Sequence, residues 1–206
     1  MATLSENSMV MSPSLVASLM LVNRKVGHSM ESLLAKMQWL YEEIKSRDGL
    51  TALNVKPTQA TLKHALSVLT DFLEKHARKE EFTTLKPNNE YKSILMLAYY
   101  RNNLSHVFIN ESYIACSLKA IGVQDSGDRG TSLQRLYEQV QFLQNVFKDE
   151  FIVRDYITSY ESFLKQLYLM QRRNFVVISK SDEGQELVRI HENGNFGIEY
   201  LASLLQ

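Results

Sequence analysis

From Leu95 to Leu118 the chain is apolar on either side of one compact polar block, Tyr99-Tyr100-Arg101-Asn102-Asn103, with His106 one turn further on. A helix that is apolar on both sides of such a block must satisfy those groups with partners in the protein or present them to a ligand. Asn102 and His106 are four apart and Tyr99 lies one turn before Asn102 and Asn103, a spacing that predicts one helical stripe. Tyr100, Arg101, Asn102 and His106 are therefore the candidate interface residues. Asn88-Asn89 is expected to cap this helix, and Asn110 to restart it after Phe108.

Helical spacing recurs along most of the chain. Ser12 followed by Pro13 predicts a helix start, with the helix running to about Lys25. Gly27 and Ser29 end it and cap a second helix carrying Met30, Leu33, Leu34, Met37, Leu40, Tyr41 and Ile44, closed by Arg47-Asp48-Gly49. Trp39 is expected in the core. A third helix takes Leu62, Ala65, Leu66, Val68, Leu69, Phe72 and Leu73 as its apolar face, with Arg78-Lys79-Glu80-Glu81 as its solvated end. Phe82 to Pro87 reads as extended.

Val123 to Gly130 holds two glycines and no apolar residue after Val123, which predicts a linker. Thr131 is expected to cap a helix bearing Leu133, Leu136, Tyr137, Val140, Phe142, Leu143 and Phe147. Tyr156 to Arg172 predicts another. Phe175-Val176-Val177-Ile178 and Leu187-Val188-Arg189-Ile190 flank a polar turn and predict a β-hairpin, which needs a helix to lie against. Phe196 to Leu205 predicts a final helix. The expected fold is mainly α, an irregular helical bundle with a small C-terminal β-hairpin and a winged-helix-like C-terminal unit. The expected organisation is a helical lobe at 1–122, a linker at 123–130 and a second lobe at 131–206.

With 206 residues, 45% of them hydrophobic and 22% charged, the chain has an ordinary globular composition. Lys plus Arg and Asp plus Glu both total 23, so no global field recruits nucleic acid, and none is expected as a partner. Cys116 is the single cysteine, which rules out an internal disulfide and fits a reducing, intracellular compartment. Its neighbours Ile114, Ala115 and Leu118 mark it as a buried small hydrophobe. The N-terminal stretch has no basic region before its apolar part and carries Glu6, so a secretory signal is not expected. From Asn7 to Asn23 the chain is uncharged, yet its four serines and Pro13 leave it short of the ~20 mainly apolar residues a membrane span requires. A buried helix is expected instead.

The segment Tyr100-Arg101-Asn102-Asn103, followed by His106-Val107-Phe108 and a small-residue helix, resembles the C-terminal region of the acyl-CoA-dependent glycerol-3-phosphate and dihydroxyacetone-phosphate acyltransferases. Val10-Met11-Ser12-Pro13-Ser14-Leu15-Val16-Ala17, Trp39-Leu40-Tyr41-Glu42-Glu43-Ile44 and His64-Ala65-Leu66-Ser67-Val68-Leu69 follow the order found after the catalytic domain of that family. Phe142 to Phe151 resembles the dihydroxyacetone-phosphate branch. His106 to Ile109 and Ala115 to Leu118 also suit the mitochondrial glycerol-3-phosphate branch. The resemblance implies a role in glycerolipid or ether-lipid synthesis, an acyltransferase catalytic domain as partner in cis or in trans, and peripheral membrane contact through that domain. It also implies a mitochondrial or peroxisomal membrane as the setting.

Members of that family transfer an acyl group with a His-x4-Asp pair, the histidine deprotonating the substrate hydroxyl and the aspartate orienting the imidazole. No histidine here has an aspartate five positions on. His76 with Glu81 and His106 with Glu111 give His-x4-Glu, but no anion-binding or acyl-binding motif stands beside either, and both read as structural. The family's Glu-Gly-x-Arg block has no counterpart, since Glu183-Gly184-Gln185-Glu186 lacks the arginine. No catalytic residue, cofactor or metal ligand is assigned, and the chain is expected to be inactive alone. For Arg101 two readings stand: a guanidinium fork that reaches a phosphate in the catalytic domain, or a satisfied buried network joining helices. The alternative to an acyltransferase region is a stand-alone helical interaction module.

Overall fold

The fold is that of a computed structural model, which describes residues 9–22, 24–47, 49–77, 83–123, 130–150, 157–180 and 184–205. The chain divides into two compact units, Met1–Val107 and Phe108–Gln206. Most of the expected linker, residues 124–129, lies outside the described residues, as does the charged run 78–81.

In the first unit, α1 (Ser12–Val22) packs against α2 (Met30–Lys45) and α3 (Gln59–Val68). Every residue of α1 from Ser12 to Met20 is buried. A helix apolar all round can lie inside a protein only if its serines find partners, and Ser18 does so by donating to the Leu15 carbonyl at 2.8 Å. At 11 residues α1 is a core helix, and no described helix is long and apolar enough to cross a membrane. Gly27, at φ +78°, turns the chain between α1 and α2, and Ser29 caps α2 by accepting from the Ser32 N–H at 3.2 Å. Trp39 is half-buried rather than a core residue.

The third helix is shorter than its apolar face predicts. It stops at Val68, and after a 3₁₀ turn (Thr70–Phe72) the chain enters β1 (Leu73–Ala77), paired antiparallel with β2 (Thr83–Pro87) in the register Leu73↔Pro87. Leu-Glu-Lys-His-Ala has no β-branched residue, so local propensity does not mark β1 as a strand. The pairing comes from β2, which is itself anchored where Leu85 exchanges both backbone hydrogen bonds with His28, at 2.9 and 2.8 Å.

α4 runs unbroken from Tyr91 to Ile121, without the expected restart at Asn110. Asn88 accepts from the Glu90 N–H at 3.1 Å in a turn just ahead of it. The helix ends in a Schellman motif: Gly122 has φ +82°, its N–H donates to Lys119, and the Val123 N–H donates to Leu118.

The second unit begins within α4 at Phe108. It continues through β3 (Thr131–Ser132), α5 (Leu133–Val146), α6 (Tyr160–Arg172), β4 (Val176–Lys180), β5 (Glu186–Ile190) and α7 (Asn195–Ser203). The sheet order is β3-β5-β4, all antiparallel, so the hairpin expected at 175–190 gains a short third strand. After β3 the order is helix, helix, hairpin, helix. The α5 cap is Ser132, one residue after the expected Thr131, and it accepts from the Arg135 N–H at 3.3 Å. Of the apolar residues that α5 bears, Phe142 is exposed. α6 starts later than expected, at Tyr160, where Ser159 and Ser162 form a reciprocal capping box. Gln141 donates to the Ile157 carbonyl at 2.7 Å. Gln144, turned so that its oxygen accepts from the Ile157 N–H at 3.0 Å, fixes the same backbone. At the end of α6, Asn174 takes φ 57° and Phe175 donates back to Met170. A β-carbon at Gly197 would stand 2.6 Å from the Phe175 ring, so α7 lies as close to that ring as a glycine allows.

Candidate functional site

The polar block lies within the first unit, on α4 between the buried Leu97 and Leu104. At about 100° per residue, Tyr99, Asn102, Asn103 and His106 fall on one side of the helix and Arg101 on the other. Burial agrees with that division. Tyr99 is 65% exposed and Asn102 and Asn103 are exposed, whereas Arg101 shares its side with Leu97, Leu104 and Ser105, all buried. The residues predicted to act together are thus an outer stripe plus a separate, inward guanidinium. Tyr100 is half-buried between the two sides, edge-on to Tyr99 with ring centroids 5.9 Å apart. Asn103 makes a long 3.4 Å contact to the Ser14 hydroxyl, which ties the stripe to α1.

His106 is half-buried, and burial lowers its pKa below the ordinary 6.5, with the Asn103 backbone carbonyl acting in the opposite sense. The imidazole is therefore neutral at neutral pH, a hydrogen-bonding group rather than a cation. It has no carboxylate in a transfer geometry on its own helix, since Glu111 is five positions on and about 140° around the axis. The side chain of His76, and Glu81 with it, lies outside the described residues.

Charged and ionisable groups that sequence reading passed over are buried elsewhere. Glu43 is 3% exposed, and the Arg47 guanidinium donates to its carboxylate at 2.7 Å and to its backbone carbonyl at 2.7 Å. Their spacing of four across the C-terminal end of α2 was the available signal. His28 is 3% exposed, and its Nδ1 sits 3.3 Å from Lys36 Nζ. Burial first, and then the Lys36 charge, bring its pKa down to about 4. No sequence pattern announces that histidine, because its burial depends on the β2 strand pairing with its backbone.

In the second unit the Cys116 thiol donates to the Ala202 carbonyl at 3.3 Å, and burial pushes its pKa up to about 11. It is a packed, protonated thiol and not a nucleophile. Among the described residues no three His, Cys, Asp or Glu side chains gather closely enough to hold a metal ion.

The sequence pattern described as the glycerol-3-phosphate acyltransferase C-terminal region matches residues 1–206. The chain belongs to that family. Mitochondrial glycerol-3-phosphate acyltransferase 1 of Sus scrofa is 27% identical over 143 residues, 69% of this chain and 17% of that protein. The dihydroxyacetone phosphate acyltransferase of Homo sapiens is 26% identical over 117 residues, 57% of the chain and 15% of the relative. A glycerol-3-phosphate acyltransferase of Haemophilus influenzae (strain PittEE) is 26% identical over 186 residues, 88% of the chain and 22% of the relative. This member of the family thus spans a small fraction of the length of the curated relatives it matches.

Proposed function

We propose that the chain is the non-catalytic C-terminal part of an acyl-CoA-dependent acyltransferase acting on glycerol 3-phosphate, and that it docks on the catalytic domain. The observation that carries this reading is the family match along residues 1–206, in a chain with no His-x4-Asp pair and no Glu-Gly-x-Arg block. In this reading the outer stripe of α4, with Asn102, Asn103 and His106, meets the catalytic domain, and Tyr100 borders it. A neutral imidazole and two exposed amides supply directional hydrogen bonds there without the desolvation cost of burying charge. Arg101 holds the helix in place from the inner side, or reaches a phosphate-binding edge of the catalytic domain.

Dihydroxyacetone phosphate is the second acceptor, favoured by the relative of that name. The setting is a mitochondrial membrane, after the name of the relatives, reached through the catalytic domain. A stand-alone interaction module is the competing proposal. The test is to add the purified chain to a catalytic domain of the family that lacks its own C-terminal region and follow acyl transfer from acyl-CoA. Stimulation that Asn102→Ala with His106→Ala removes would support docking, whereas no effect of the chain on the domain would favour the stand-alone module.

A further inference from the structure

On the first unit a groove of about 440 Å³ opens between the first turn of α2, α3 and the β1–β2 hairpin, within the ~300–1,000 Å³ range of small-molecule sites. Met30, Leu66, Leu73 and Leu85 line it, with Leu85 buried beneath. Among the described lining residues Lys63 is the one charged side chain, and no carboxylate accompanies it. Ser67 and Thr70 complete the rim, but their hydroxyl protons are already donated to the His64 and Leu66 carbonyls at 2.8 and 2.9 Å.

These features exclude several ligand classes in turn. A polar metabolite would leave its own hydrogen-bonding groups unpaired against leucine and methionine. A nucleotide or other polyanion would need more than one cation. An extended peptide would pair with strand backbone, and at Leu85, the β2 residue under the groove, both backbone groups are already paired with His28. An apolar trough with a single ammonium at its rim suits a hydrocarbon tail with one negative head.

We propose that this groove binds the hydrocarbon chain of a single-chain anionic amphiphile, with Lys63 against its head group. Free fatty acids and lysophosphatidates share that chemistry. The site is separate from the α4 stripe and stands whether or not the docking reading holds.

Titration calorimetry of the 206-residue chain with oleate, oleoyl lysophosphatidate and uncharged oleyl alcohol, each below its aggregation limit, tests it. Saturable one-to-one binding of at least one anionic ligand is expected, and the tighter of the two identifies the source of the head group. Lys63→Glu should weaken that ligand at least fivefold and leave oleyl alcohol unchanged. Ser67→Trp, which fills the groove from an exposed position, should weaken all three at least tenfold without moving the melting temperature. A diazirine-bearing stearate photolysed on the unaltered chain should label Met30 and residues 63–73, a readout that does not depend on either variant folding. Absence of saturable binding, undiminished binding by a folded Ser67→Trp chain, or labelling confined to other segments would each overturn the proposal.

Discussion

Single side chains decide how this protein responds to pH. His28 is held near pKa 4 by burial and by the Lys36 ammonium, against an ordinary 6.5 in the unfolded chain. Between those values the unfolded chain binds a proton that the folded chain refuses, so stability falls as pH is lowered from 6.5 to 4, by about 3 kcal/mol at the lower end. Above pH 6.5 neither state binds that proton and this pH-dependent loss vanishes. Denaturant melts across this range should show that slope, and His28→Gln should flatten it; His106, also lowered, adds a slope of the same sign. Arg101 offers a second check. Arg101→Met keeps an unbranched stem but removes every guanidinium donor on the inward side of α4, and should cost the isolated chain ~1–3 kcal/mol in a urea melt. Asn102→Ala, on the exposed side, should stay within ~0.5 kcal/mol. Equal small effects would reject the buried network, and would leave Arg101 an ordinary surface residue if Arg101→Met also left the acceptor kinetics of a full-length enzyme unchanged.

Individual elements differ in how openly their sequences declare them. β4 and β5 were legible because Val-Val-Ile and Leu-Val-Arg-Ile bracket a polar turn, whereas β1 was not, since nothing in Leu73 to Ala77 favours a strand until β2 and His28 position it. α4 was misread as two helices because Asn110 looks like a cap. It continues because residues on all its sides from Phe108 to Leu118 are buried, and Ser117 satisfies itself by donating to the Tyr113 carbonyl at 2.8 Å. The α5 cap falls at Ser132, one residue beyond the expected Thr131, because α5 begins at Leu133. Two predictions belong here. Ser159→Ala removes one half of the α6 capping box and should lower stability by ~1 kcal/mol, while Ser159→Asp restores most of it in the same thermal melt. Gly197→Ala places a methyl group against the Phe175 ring and should cost ~1–3 kcal/mol through overpacking.

For the whole molecule the consequence is functional. A chain without the transfer pair should show no acyl-CoA turnover with glycerol 3-phosphate or dihydroxyacetone phosphate when purified alone. A radiolabelled acyl-transfer assay checks this, and turnover abolished by His106→Ala would refute it. The matched relatives are several times longer than the stretch this chain covers.

Sequence alone determined the helical class, the C-terminal hairpin and the acyltransferase family, because apolar periodicity, β-branched runs and ordered motifs are local properties of the chain. Tertiary structure decided which side of α4 each polar residue faces, which serines are satisfied from within their own helix, and that His28 is neutral beside a lysine. Those outcomes depend on which distant segment covers a residue. Leu85 lies 57 positions beyond His28 in the sequence, yet their paired backbones help fix the burial that sets that ring's charge.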